Sequence, residues 1–383
     1  MNNFSYYNPV RIEFGRGTIA KLADLLEPNA KVLVVYGGGS IKQNGVYDQV
    51  MKALDGRSVV EFGGVEANPQ YETLMRAVKV VRSKKIDFIL AVGGGSVLDG
   101  VKFIAAAARF EGEAWDILEK RIPVAEAVAL GAVLTLPATG SEMNTFAVIS
   151  REETRQKLAF GSEACYPKFA ILDPETTLSL PERQVANGIV DAFVHVLEQY
   201  LTYDLDTPLQ DRQAEGILLT LIEQAERVLK DPKDYDTRAN IMWAATQALN
   251  GLIGVGVAQD WATHMIGHEL TAFFGIDHAR TLAVVLPGLL RHQKEEKKGK
   301  LLQYAKRVWG LSGSNDAAVI ELGIARTEAF FHKLGVPTRL IDHGVDLKQT
   351  EPIVARFSEN RMRLGEREDI DAAAIGAILK LSA

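Results

Sequence analysis

Residues 86–110 read IDFILAVGGGSVLDGVKFIAAAARF. The first part, from Ile86 to Val92, is apolar on both faces but for Asp87 near its start, which is what a strand buried inside a parallel sheet requires. Three glycines then halt the run, and from Ser96 the apolar residues recur at helical spacing. Strand, glycine turn and helix form the repeating unit of a doubly wound sheet, and the unit recurs on either side. KVLVVYGGGS at 31–40 is a second β-branched run ending in the same turn, and SVVEFGG at 58–64 repeats the strand pattern. AVALGAVLTLPATGSEMN at 127–144 is a further buried strand that closes on a loop of small residues. Helical periodicity fills the gaps, at Thr18 to Leu26 and at Asn68 to Ser83, the latter opened by an Asn-Pro start signal. Strands alternating with helices predict a parallel sheet wrapped on both faces.

Past Thr145 the period changes. FAVIS, a polar REETR turn and QKLAF predict a hairpin, and beyond Leu178 nearly every apolar repeat is helical, as in GILLTLIEQAERVL and IMWAATQALNGLIG. The expected organisation is therefore a Rossmann-like, parallel-sheet α/β domain over 1–180 followed by an all-helical domain over 181–383. The charged run KEEKKGK at 294–300 reads as a solvated helix end or loop. The opening NNFSYYNPVRIEFGRG alternates Tyr, Val, Ile and Phe with polar residues, as one or two exposed strands would. An exposed strand invites pairing with a second copy, which points to a homodimer through this segment.

Composition narrows the function. A chain of 383 residues exceeds one ordinary core, and 47% apolar with 24% charged residues is the balance of a globular protein. A net charge of −6 gives no basic footprint, so nucleic acid is not expected as a partner. The single cysteine, Cys165, excludes an internal disulfide and a thiolate-built zinc site. No N-terminal segment pairs basic residues with an apolar run, and no uncharged apolar stretch approaches a membrane span. The expectation is a cytoplasmic protein with no membrane partner.

Metal-binding spacing is concentrated between Asn187 and His278. Asp191 and His195 stand four apart in NGIVDAFVHVLEQY and share one helix face, and His264 and His268 repeat the offset in WATHMIGHEL. His278 follows fourteen residues after His264, about 21 Å along an unbroken helix. One ion cannot span that distance. Gly275 and Asp277 supply a break that would return His278 to His264. The constellation reads as Asp191 and His195 from one helix, closed by His264 and His278 from another region. Small-residue loops form a second group: Gly37, Gly38, Gly39 and Ser40; Gly93, Gly94, Gly95 and Ser96; and Thr139-Gly140-Ser141 after Thr135. Glycine lets backbone amides approach a phosphate, and a helix opening at Ser96 aims its positive end at the same place. In an open parallel sheet, loops at the carboxyl ends of strands form the ligand crevice. A dinucleotide together with a metal points to hydride chemistry.

The joint set GGGSVLD at 93–99, LPATGSE at 136–142, Asp173-Pro174 and the DAFVH helix resembles the iron-containing (group III) alcohol dehydrogenase family, over essentially the whole chain. YGGGS, QVANGIVDAFVH and QDWATHMIGHELTA are similar to its branch of NADPH-dependent aldehyde reductases and butanol dehydrogenases. The resemblance implies one divalent ion on Asp191, His195, His264 and His278, with His268 near the substrate. Three imidazoles and a carboxylate suit Fe²⁺, Zn²⁺ or Ni²⁺, and His268, or water held by it, is the candidate proton donor. It implies that Gly93 to Ser96 and Asp99 meet the pyrophosphate and nicotinamide ribose, that Thr135 and Thr139 flank the nucleotide, and that Lys157 reaches it from the hairpin. An aspartate in the first glycine loop goes with NAD in this family. The glycine at Gly38 therefore implies NADP(H), with Ser40 and backbone amides as donors to its extra phosphate. Family members are commonly dimers, and the implied substrates are short- to medium-chain aldehydes and their alcohols. Where the family often has Thr-Ala-Gly-Thr-Gly-Ser-Glu, this chain has Leu-Pro-Ala-Thr-Gly-Ser-Glu.

Two other readings use the same residues. A metallohydrolase would activate water on the ion, but the chain lacks H-E-x-x-H, since Glu269 lies outside the His264 and His268 pair. A nucleotide sensor would make the histidines ordinary core residues. Trp261, Phe146 and Leu252 are candidates for the substrate pocket.

Overall fold

The computed structural model describes Met1–Ala383. Eight strands are formed: β1 (Arg11–Phe14), β2 (Lys31–Tyr36), β3 (Ser58–Phe62), β4 (Phe88–Gly94), β5 (Ala129–Leu136), β6 (Phe146–Arg151), β7 (Gln156–Gly161) and β8 (Phe169–Leu172). Six of them make one sheet in the order β1-β8-β5-β4-β2-β3, every pair parallel, while β6 and β7 form the antiparallel hairpin. The pleat of β4 explains the continuous apolar run in its sequence. Ile89 and Ala91 enter a core beneath the Tyr71–Lys84 and Gly95–Arg109 helices, whereas Phe88, Leu90 and Val92 enter one formed with Ile19, Leu22, Val46 and Val50. Each such fully buried aliphatic side chain contributes about 1.5–3 kcal/mol relative to exposure.

The chain separates into two compact units: Tyr7–Pro181 with Pro232–Thr246, and Met1–Tyr6 with Glu182–Asp231 and Gln247–Ala383. Most of the Tyr235–Ala248 helix therefore belongs with the sheet, although its sequence is purely helical in period. Met242 enters a core of that unit, and the Thr246 hydroxyl donates to Glu142 Oε1 at 2.5 Å. Periodicity announces a helix; it carries no information about which core the helix joins. The opening stretch yields one strand. β1 is an edge strand with Phe14 exposed, while the Asn2 amide donates to the Gly256 carbonyl at 2.9 Å.

The second unit is helical throughout. In its Glu182–Tyr200 helix every residue from Val185 to Tyr200 is buried, polar ones included. The charged run at 294–300 is a turn and helix start with Lys294, Glu295, Glu296 and Lys298 exposed, as expected, but two of its lysines turn inward. Lys297 is buried against Asp260 at 3.0 Å and Glu366 at 2.7 Å, and Lys300 against Asp211 at 2.6 Å. Carboxylates far away in sequence make these lysines internal, and local composition does not reveal them. No helix is long and apolar enough to cross a membrane.

Candidate active site

In the helical unit, the Glu182–Tyr200 helix carries Asp191, His195 and Glu198 on one face, and the Ala262–Phe274 helix carries His264 and His268. Gly275 ends the latter helix in the left-handed region at φ 68°, and a new helix opens at His278. The turn is held by Asp277, whose Oδ2 accepts from Arg183 at 2.7 Å and from Asn187 at 3.1 Å. His278 is thereby returned to the cluster. Its ring centroid lies 5.3 Å from that of His264 and 5.2 Å from that of His268, and its Nε2 is 3.6 Å from Asp191 Oδ1. Asp191, His195 and His264 are buried and present ligand atoms that all lie within 4.8 Å of one another. His278 and His268 both fall outside this tight group: His278 is half-buried, and His268 is buried with its ring 6.2 Å from that of His264.

The donor chemistry fits a cation. His264 Nδ1 is hydrogen-bonded to Glu198; with the proton on Nδ1 its Nε2 carries a lone pair, and His195 Nε2 faces it at 3.0 Å. Burial pulls His195 down to about 4, which keeps that imidazole neutral near pH 7. If His195 is protonated at Nδ1, two lone pairs confront each other. If it is protonated at Nε2, that proton is donated to His264 Nε2, but the buried Nδ1 lone pair then faces the Asp191 carboxylate at 3.8 Å. Each tautomer leaves a lone pair set against another lone pair or against a carboxylate, and a divalent ion among these atoms removes that conflict. Neutral imidazoles with a carboxylate suit Fe²⁺, Zn²⁺ or Ni²⁺.

Sequence reasoning missed Glu198. Its Oε1 accepts from the Thr263 amide at 2.7 Å while Oε2 meets His264, and burial beside Asp260 pushes its carboxyl well above the ordinary range. The spacing of Glu198 from His195 and Asp191 by three and seven residues was the available signal. Trp261 precedes the helix at φ 65°, a conformation rare for a bulky residue, and its ring packs 5.3 Å from that of His264. Leu252 is partly exposed in the same unit, and Phe146 is exposed on β6 of the other.

In the sheet unit, Gly37 to Ser40 and Gly93 to Ser96 leave the carboxyl ends of the adjacent strands β2 and β4, with Thr135 and Thr139 at the end of neighbouring β5. Glycine is needed here for close approach. A Cβ on Gly95 would lie 2.6 Å from the Thr139 methyl, and one on Gly94 would lie 2.9 Å from Leu136 Cβ. At Gly38 a Cβ would meet nothing within 4 Å, and Gly39 turns at φ 94°. The Gly95–Arg109 helix has Gly94 as its N-cap and hence no side-chain cap, so its first amides are available to an anion.

The polar side chains named from the sequence have protein partners. The Ser96 hydroxyl donates to the Ala67 carbonyl, and Lys157 Nζ donates to Asn68 Oδ1 at 3.0 Å. Asp99 accepts from the Ser141 hydroxyl at 2.7 Å and from the Val148 amide at 2.9 Å, so its carboxylate ties the second loop to the third and to the hairpin. Lys102, also unforeseen, donates to Ser141, Asn144 and the Phe146 carbonyl, and burial lowers it to about 8. Cys165 is buried with its thiol raised to about 11, which makes it unreactive.

Comparison with known proteins agrees with this architecture at both ends. The family model for iron-containing alcohol dehydrogenase matches residues 9–174, and that for the C-terminal part of the Fe-containing alcohol dehydrogenase family matches 185–383. The chain is 57% identical to the NADPH-dependent aldehyde reductase YqhD of Escherichia coli (strain K12) over 374 residues, 97% of each chain. It superimposes on the crystal structure of E. coli K-12 YqhD with a TM-score of 0.98 at 55% identity, covering 100% of this chain and 99% of that one. The corresponding values for the NADH-dependent butanol dehydrogenase A of Thermotoga maritima are 0.96, 38%, 100% and 99%. With both halves of its length matched by these models, the chain, a parallel-sheet unit and a helical unit that carries the Asp/His group, belongs to the iron-containing alcohol dehydrogenase family.

Proposed function

We propose that this protein is a metal-dependent, NADPH-linked aldehyde reductase, which in reverse oxidises primary alcohols. The observation that carries the reading is the buried group of Asp191, His195 and His264, with two imidazole Nε2 atoms 3.0 Å apart beside a carboxylate. In this reading Asp191, His195, His264 and His278 hold one divalent ion. When bound, the ion supplies Lewis acidity to the aldehyde oxygen and the reduced nicotinamide supplies the hydride. His268, whose ring packs 5.2 Å from that of His278, or a water it holds, passes a proton to the product oxygen. Gly93 to Ser96 hold the pyrophosphate through backbone amides and the helix start, with Asp99 fixing their loop. Thr135, Thr139 and Lys157 flank the nucleotide. Gly37 to Ser40 receive the 2′-phosphate, where the open space at Gly38 and the absence of an acid favour NADPH over NADH.

Hydrolysis is disfavoured by Glu269. The carboxylate that follows His268 is paired with Arg356 at 2.8 Å and is not placed as a base on water. The same reading makes the enzyme a cytoplasmic homodimer joined through its N-terminal edge strand, supported by the exposed Phe14 on β1 and the exposed Tyr7 just before it. Light scattering on the purified protein checks the dimer. Loss of NADPH absorbance with a short-chain aldehyde, run in parallel with NADH, tests the activity. NADPH should give the higher kcat/KM, and aldehyde-independent or absent oxidation would reject the assignment.

A further inference from the structure

Glu198 lies in the middle of the helical unit, 2% exposed, and makes two directed contacts through its two carboxylate oxygens. Oε1 accepts from the Thr263 amide, a donor in the first turn of the Ala262–Phe274 helix that the N-cap residue, Trp261, does not satisfy with its side chain. Oε2 meets His264 Nδ1 in the next position along that helix. The carboxylate cannot swing away from the imidazole without also giving up a buried backbone amide, so its plane is fixed by the start of the helix it faces. Asp260 extends the arrangement, since its amide donates to the Glu198 carbonyl at 2.8 Å and its Oδ1 accepts from the Ala262 amide at 3.0 Å.

A neutral imidazole has one proton and one lone pair, and which nitrogen carries which is decided by the partner of the other. We infer that Glu198 is a positioning residue for the metal centre, holding the His264 proton at Nδ1 so that Nε2 is presented to the ion. The inference rests on the metal reading above and adds to it a residue outside the four proposed ligands. A carboxylate behind an imidazole ligand orients the ring and raises its basicity, and losing such a partner typically weakens metal binding by about 10–100-fold.

The test uses the full-length protein carrying Glu198→Gln or Glu198→Leu, with Asp191→Ala as a reference. The glutamine side chain offers a single acceptor to two N–H groups, and the leucine side chain offers none. Affinity is measured with Zn²⁺ against a competing chelator, and the His264 tautomer by ¹⁵N NMR of the metal-free protein. Both Glu198 variants should bind Zn²⁺ about 10–100-fold more weakly than wild type, and only wild type should hold His264 wholly as the Nδ1–H form. A role confined to capping the helix would lower the melting temperature and leave the tautomer unchanged, and that result overturns the proposal. So would wild-type affinity in both variants. If Asp191→Ala binds Zn²⁺ as tightly as wild type, the ligand set itself is wrong, and the tautomer measurement still decides whether Glu198 holds the Nδ1 proton.

Discussion

Around His264 the helical unit gathers ionisable side chains from three helices, buried except for the half-buried His278, whereas at the ends of β2 and β4 the sheet unit offers almost no side chain at all. The first is built by charge and lone pairs, and each group is immobilised by another: His264 by Glu198, and the turn before His278 by Asp277, Arg183 and Asn187. The second is built by removing Cβ atoms so that loops and a helix start can crowd together. One arrangement should fail chemically when a single atom is altered. The other should fail sterically, and only where space is already used.

The largest effect is expected in the helical unit. His264→Ala removes a ligand, and because an ion acting as a Lewis acid supplies several kcal/mol, kcat/KM should fall by about 10³-fold or more. Bound metal, assayed by elemental analysis, should fall in parallel, and His278→Ala should behave alike. Full metal and full turnover in either variant would dissolve the contrast.

His268→Ala comes next. A positioned proton donor acts in the transition state and contributes about 10²–10⁴-fold, so kcat should drop by at least about 10²-fold while metal content stays near that of wild type. Loss of the ion would move His268 into the ligand set.

How far the two regions could be read from the sequence follows their construction. The spacing of Asp191, His195, His264 and His278 and the break at Gly275 place those residues on facing surfaces, because helical geometry turns offsets of four into one face. The parallel sheet and the hairpin were equally legible from apolar runs ending in GGGS and from the REETR turn. Glu198 escaped notice because one more glutamate on a helix is ordinary in sequence; only the approach of Thr263 and His264 gives it meaning. Lys102 and Lys297 were hidden for the same reason, since Ser141 and Glu366, which they meet, lie 39 and 69 residues away. The membership of the Tyr235–Ala248 helix depended on which core accepts Met242, and a hydrophobic period does not encode that.

Smaller effects separate two glycines of the sheet unit. Gly38→Asp meets open space and ordinary backbone, so the fold should persist. A carboxylate about 4 Å from a phosphate charge is worth up to roughly 4 kcal/mol at a surface-like dielectric, before salt screening. Steady-state kinetics should show kcat/KM for NADPH reduced by up to about 10²-fold with that for NADH little changed; equal slowing of both would move the 2′-phosphate elsewhere. Gly95→Ala places a methyl against Thr139, and overpacking of this kind typically costs about 1–3 kcal/mol. Its urea midpoint should fall and both nucleotides should bind more weakly, and unchanged stability would show that the loops have room to spare.

The most direct measurement takes the wild-type protein, strips it with a chelator, and follows NADPH oxidation with an aldehyde before and after Fe²⁺, Zn²⁺ or Ni²⁺ is returned one at a time. The stripped protein should show no aldehyde-dependent oxidation, and at least one of the three ions should restore it. Undiminished turnover in the stripped protein would contradict a metal-dependent reductase built on Asp191, His195, His264 and His278.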